Sequence, residues 1–197
     1  TAFNMNINEV IANIALVMIG EEKGNYEIIN PNDHVNMSQS SNDTFPTAMH
    51  LTILLGLKNF LQAIEDLIKS LKDKSVEFSD AMKIGRTHLM DALPITLGDE
   101  FSAYHYSIEI ARQKIVQASE NLYAVALGGT AVGSGANSPT GYREVTIRYL
   151  RDISRLNMIS SENFYFALQS RFDVTCYSSS IRNLAVELIK LANDLRL

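Results

Sequence analysis

Apolar residues at three- and four-residue steps run through most of this chain, and that periodicity decides what it can fold into. Phe101, Tyr104, Ile108, Ala111, Ile115, Ala118, Leu122 and Val125 form one long stripe. Such spacing lines a single face of a helix, because a turn closes about every 3.6 residues. Ile53, Leu57, Phe60, Ile64, Leu67, Ile68 and Leu71 form a second stripe that extends toward Phe78. The spacing places Pro46 in the first turn of that helix, where a missing N–H leaves no bond unmade. Further helices are expected over residues 4–19, stopping at Gly20, over 142–153, and along Ile181, Leu184, Leu188, Leu191 and Leu195. Strand signals are sparse. The expected architecture is all-α, a long-helix bundle, with polar connections at residues 30–43, 85–94, 128–141 and 157–173.

Composition narrows the partners. At 197 residues the chain is long enough for one domain, 1–197, with a substantial core. A formal net charge of −5 argues against a nucleic-acid partner, which needs a concentrated basic face. A small anion stays open, since a few local donors outweigh a modest overall charge. Cys176 is the only cysteine, so no internal disulfide forms, and a reducing, cytoplasmic setting is expected. The longest apolar run, near residues 14–19, is too short to span a bilayer, so no membrane partner is expected. The chain starts at a helix approach and stops inside an apolar stripe, from which we expect a portion of a longer protein.

The polar connections hold the chemistry. Ser38-Gln39-Ser40-Ser41-Asn42-Asp43 precedes the second helix. Its hydroxyl and amide groups, beside unpaired N–H groups at a helix start, suit a carboxylate. Simple capping by Asp43 or Thr44 explains the same residues. Gly85-Arg86-Thr87-His88 lies between long helices. An imidazole there can move protons near neutral pH or donate to a carboxylate, and an exposed structural histidine is the plainer alternative. His34, His50 and His105 rank lower, and no histidine pair has metal-ligand spacing, so no metal site is expected. The glycines of residues 128–135 match no phosphate-loop pattern and read as tight turns. Asn30-Pro31-Asn32-Asp33 reads as a turn whose exposed N–H groups could also hold an anion.

Together these segments resemble the aspartase/fumarase superfamily. The likeness is carried in order by Thr1 with Asn4-Met5-Asn6 and Asn8-Glu9-Val10, by Ser38-Gln39-Ser40-Ser41-Asn42-Asp43 and by Gly85-Arg86-Thr87-His88-Leu89. Gly129-Thr130-Ala131-Val132-Gly133 and Ala192-Asn193-Asp194-Leu195-Arg196 extend it. The resemblance implies the central helical domain of the L-aspartase-like fold and a homotetramer whose active sites are shared between subunits. It also implies reversible addition of ammonia or water to fumarate, a dicarboxylate, with no organic cofactor. By position, Thr1, Ser40, Ser41, Asn42 and Thr87 would contact the substrate. His88 would bind a carboxylate or help the leaving group, and Asn30, Pro31, Asn32 and Asp33 would correspond to a second anion site. The family's mobile catalytic serine loop would follow residue 197, and an amino-terminal domain would precede residue 1.

Markers for the two chemistries disagree. Ala12-Asn13-Ile14, Glu22-Lys23-Gly24-Asn25-Tyr26 and the surroundings of Asn30 and Thr1 resemble aspartases. Ser40-Ser41-Asn42, residues 44–50 and Leu127-Gly128-Gly129-Thr130 resemble fumarases. The resemblance around residues 23–30 and Thr1 leads us to expect an aspartase, with fumarate hydratase the alternative. A catalytically inert helical scaffold is the reading of another class.

Overall fold

The computed structural model describes residues 1–197, which divide into two compact units. The first contains Thr1–Leu55 and Asn121–Val174, the second Gly56–Glu120 and Thr175–Leu197. Long helices dominate both, as the periodicity requires. None is long and apolar enough to cross a membrane.

The first unit opens with α1 (Ala2–Met18), followed by a short π-helical turn at Pro31–Val35. It takes the start of α2 (Ser41–Glu77), then a 3-10 turn at Asn121–Tyr123 that leads into strand β3 (Ala124–Val125). Beyond a glycine-rich loop come α4 (Tyr142–Ser154), strand β4 (Ile159–Ser160) and α5 (Phe164–Gln169). We number the helix and strands of the second unit α3, β1 and β2 to keep chain order. β3 and β4 pair in parallel, two residues each, so the connection at residues 157–173 holds more structure than the sequence suggested. Ala12 and Leu16 of α1, with Leu122, Val125 and Met158, are among its fully buried side chains.

Asparagines tie α1 down. Asn4 and Asn8 both donate to the Asn36 side-chain oxygen, at 3.1 and 3.0 Å, and the Thr44 hydroxyl donates to Asn4 at 3.2 Å. The rest of the α1 surface leaves Ile7, Val10, Ile11, Ile14, Val17 and Met18 exposed. An uncovered apolar face of that extent usually marks an interface.

In the second unit, the remainder of α2 is followed by β1 (Met82–Thr87) and β2 (Met90–Thr96), an antiparallel hairpin, then α3 (Leu97–Glu120). The later part of α6 (Phe172–Arg196) completes it. The hairpin corrects the expectation of a plain loop over residues 85–94. It contains a register shift between Ile84 and Arg86, where Gly85 stands opposite an extra residue of β2. Leu57, Ile64, Ile68 and Leu71 of α2 and Tyr104, Ile108, Ala111 and Ile115 of α3 are buried, as their stripes require. Leu122 and Val125 are buried too, but α3 stops at Glu120 and they belong to the first unit.

Pro46 is likewise displaced from its expected place. It lies inside α2, past the first turn, because the helix starts at Ser41.

Two consequences are measurable. A Cβ on Gly98 would lie 2.5 Å from the Ser75 carbonyl oxygen and 2.9 Å from Ser79 Cα, both backbone atoms. Gly98→Ala is therefore expected to lower stability by roughly 1–3 kcal/mol, read by denaturant unfolding. His50 offers the second test. Its Nδ1–H lies 3.1 Å from both the Leu122 and Ala124 carbonyl oxygens. Burial lowers its pKa below the ordinary 6.5, against the backbone bonds to Ala124 and Leu122 and the charge of Asp173, with Arg171 acting in the same direction as burial. The unfolded chain thus takes up this proton before the folded one, so stability holds above the ordinary histidine value and falls as pH drops below it. Unfolding measured from about pH 7.5 to about pH 5.5 should show that decline, and His50→Gln should flatten it.

Candidate functional site

Helix α2 begins at Ser41 because the residues around Ser40 close a reciprocal cap. Ser40 Oγ accepts a hydrogen bond from the Asn42 N–H at 3.2 Å. Asp43 Oδ1 accepts one from the Ser40 N–H at 2.9 Å. This is a capping box with aspartate in the place where glutamate or glutamine is usual. Thr44, the other residue considered for the cap, instead turns its hydroxyl back to the Ser40 carbonyl at 2.8 Å.

The second oxygen of Asp43 reaches far along the chain. Asp43 Oδ2 accepts from the Gly128 N–H at 3.1 Å and from the Thr130 N–H at 2.8 Å. The side chain is 0% exposed. Burial pushes its carboxyl above the ordinary value, while the N–H groups of Ser40, Thr130, Gly128 and Thr44 draw it down. Asn42 adds another link, donating from Nδ2 to the Ala131 carbonyl at 2.8 Å. The cap therefore uses Ser40 and Asp43, while the Ser41 hydroxyl and the Asn42 side-chain oxygen are not part of it. Both stand at the positive end of a 37-residue helix, where a carboxylate is favoured.

Thr1 occupies the N-cap position of α1 and makes no side-chain capping bond. It shares the first unit with Ser40, Ser41 and Asn42. The turn at Asn30, Pro31, Asn32 and Asp33 also lies there, but its donors are largely engaged. Asn30 Oδ1 accepts from the Asn32 and Asp33 N–H groups at 2.8 and 3.2 Å, and the Asn30 N–H donates to His34 Nδ1 at 2.8 Å. An anion bound at these amides would have to displace the Asn30 side chain.

Thr87 and His88 belong to the second unit. Thr87 pairs with Met90 across the hairpin, leaving His88 and Leu89 as a two-residue turn with φ of 52° and 63°. Two positive φ values make the turn whose twist suits a hairpin, a site where Asn-Gly is the usual sequence. Side chains other than glycine cost roughly 1–2 kcal/mol per residue in that conformation. Such strain at an exposed imidazole is an observation that points toward function. His88 borders a cleft with Lys83, Arg86, Glu100, Tyr104 and Asp194.

The walls of that cleft are cross-linked. Lys83 pairs with Glu100 at 2.7 Å, and the Tyr104 hydroxyl donates to Asp194 at 3.1 Å, beside a Lys190–Asp194 ion pair. Burial and the Asp194 carboxylate push the Tyr104 phenol up. The hydrogen bond from Lys190 leads the effects that hold Asp194 below its usual value. No group of three or more His, Cys, Asp or Glu side chains is arranged to hold a metal ion.

Asp43, Asn36 and Tyr104 are the residues whose importance the sequence did not reveal. Asp43 read as one capping residue among several, and its bonds to residues 85 and 87 positions away left no local signal. Tyr104 read only as a member of an apolar stripe.

Comparison with known proteins matches this arrangement. A family model described as lyase spans residues 1–197. Fumarate hydratase class II of Brucella suis biovar 1 (strain 1330) is 46% identical over 197 residues, 100% of this chain and 42% of that protein. Aspartate ammonia-lyase of Bacillus subtilis (strain 168) is 44% identical over the same shares. A solved structure of fumarate lyase:delta crystallin from Brucella melitensis, bound to cobalt, superposes with a TM-score of 0.95 at 42% identity, covering 98% of this chain and 42% of that one. The chain spans about two fifths of the length of these relatives. The match over every residue, together with the long-helix fold, shows that the chain belongs to the lyase family of the aspartase/fumarase superfamily.

Proposed function

We propose that these residues are part of a fumarate-forming lyase that interconverts L-malate and fumarate, as a class II fumarate hydratase does. The observation that carries this reading is the start of α2, where Ser40, Ser41 and Asn42 stand at a capped helix N-terminus in a chain 46% identical to a fumarate hydratase. Aspartate deamination, the chemistry expected from residues near Thr1 and residues 23–30, is the second reading. It is supported by the 44% identity to an aspartate ammonia-lyase.

A physical reason lowers the weight of the aspartase-like markers. Asn13 Nδ2 donates to the Tyr26 hydroxyl at 3.0 Å, and the Gly24 N–H donates to Asn13 Oδ1 at 2.8 Å. Asn30 is engaged in capping its own turn. These residues fasten residues 24–26 to α1 and organise the turn after them. None of those bonds depends on whether ammonia or water leaves. Ser41 lies in the cradle itself, so its fumarase-like identity counts for more.

The chemistry asks for donors at a carboxylate. Removing a proton from the carbon beside it produces an aci-carboxylate with two negative oxygens. Hydroxyl, amide and imidazole donors held in place stabilise that state more than the substrate. On this reading Thr1, Ser40, Ser41, Asn42 and Thr87 contact the dicarboxylate. His88 binds a carboxylate or assists the leaving group. By the family resemblance, the base that takes the carbon-bound proton would be the serine of the catalytic loop, outside these residues. The exposed apolar face of α1 supports association with other chains, and this reading takes the assembly to be a homotetramer with active sites shared between subunits. Asn30 to Asp33 would hold a second anion only with rearrangement of the Asn30 cap.

The protein at its full encoded length, assayed with L-malate and L-aspartate, is expected to form fumarate from malate. Turnover of aspartate but not malate would replace hydration by deamination, and inactivity toward both would favour a scaffold. The 197 residues alone are expected to form no measurable fumarate. In the full-length protein, His88→Asn should lower kcat by about a hundredfold, measured by the same fumarate signal.

A further inference from the structure

The Gly128–Thr130 backbone is gripped from two directions by opposite charges that never meet as an ion pair. From α2, the buried Asp43 carboxylate takes the N–H groups of Gly128 and Thr130. From α4, Arg143 gives its Nε–H to the Gly128 carbonyl at 2.8 Å and an Nη2–H to the Gly133 carbonyl at 3.1 Å. The Arg143 guanidinium also stacks on Phe164, 4.1 Å from the ring centre. The loop is thus polarised along its own peptide groups, with donors toward the anion and acceptors toward the cation.

Close packing leaves no room for a side chain at Gly128 or Gly129. A Cβ on Gly128 would lie 2.6 Å from Arg143 Cγ, and one on Gly129 would lie 2.7 Å from Leu168 Cδ1. Gly128 and Thr130 hold φ at +89° and +56°. What the loop returns to α2 is position. Asp43 Oδ1 fixes the Ser40 N–H, and the Ala131 carbonyl fixes the Asn42 amide, so two of the three cradle residues are bonded to groups the loop controls.

We propose that Asp43 and Arg143 are positioning residues, which hold the loop against the start of α2 and thereby set the geometry in which Ser40, Ser41 and Asn42 receive a substrate carboxylate. The inference rests on the reading of those three residues as a carboxylate cradle. Neither Asp43 nor Arg143 touches substrate. Asp43 has no free lone pair facing solvent, and Arg143 directs its bonds to loop carbonyls. Their effect is therefore on how well the cradle fits, which is a binding effect first.

The test uses the full-length protein and measures KM and kcat for the dicarboxylate beside thermal unfolding. Asp43→Asn puts an amide N–H where the carboxylate accepted one, so at least one of its backbone bonds is lost. It is expected to raise KM by roughly tenfold or more, with a smaller change in kcat. Leu122→Ala, a buried apolar change in the same unit whose side chain bonds neither the loop nor the cradle residues, serves as the stability control, expected to lower the unfolding temperature with KM unchanged. Arg143→Lys, which cannot span both carbonyls, should raise KM in the same sense and serves where Asp43→Asn fails to fold.

Ser41→Ala separates the positioning role from the cradle itself. A raised KM in Ser41→Ala with unchanged KM in folded Asp43→Asn or Arg143→Lys would overturn the positioning role alone. Unchanged KM in both Ser41→Ala and Asn42→Ala would overturn the cradle reading on which it rests. If Leu122→Ala raised KM as much as Asp43→Asn, the effect would be generic destabilisation and the positioning role would be lost.

Discussion

The buried carboxylate of Asp43 is the interaction on which the first unit depends. One oxygen closes the start of α2 and the other holds a turn drawn from more than eighty residues later in the chain. An ionised carboxylate removed from water is costly unless its lone pairs are satisfied, and here backbone N–H groups satisfy them without a cation. Backbone donors cannot swing away as side chains do. The arrangement therefore couples the register of a long helix to the shape of a loop with little slack.

That coupling explains why capping and carboxylate binding, which read from the sequence as rival explanations of residues 38–43, are compatible. Ser40 and Asp43 complete the cap. Ser41 and the Asn42 oxygen stay outside it, at the end of the helix where the peptide dipoles favour an anion. A tightly capped helix start is also a rigid one, which is what a preorganised donor set requires.

Much of the fold was legible because burial and period agree. Leu57, Ile64, Ile68, Tyr104, Ile108 and Ile115 are buried at the positions their spacing assigns. The hairpin at Met82–Thr87 and Met90–Thr96 was not legible, since its tip is His-Leu rather than a glycine-containing pair and its strands are largely exposed, with only a short alternation at Met82–Gly85. Pro46 misplaced the start of α2 because a proline marks where a helix is permitted to begin, while the capping bonds decide where it does. Among the site residues, Ser40 to Asn42 and His88 announced themselves by type and motif. Asn36 and Arg143 did not, nor did the reach of Asp43 beyond its cap, because the partners are backbone groups or distant side chains that local patterns never register.

Thr87 and Met90 form the last paired rung, so the imidazole between them rides on a connection of fixed contour length. Leu89 can be replaced while the number of residues at the tip cannot change, since one added residue would change the turn family and redirect the His88 ring altogether. Length variation among proteins that share this hairpin should therefore gather in connections such as residues 19–30, with the tip keeping its two residues.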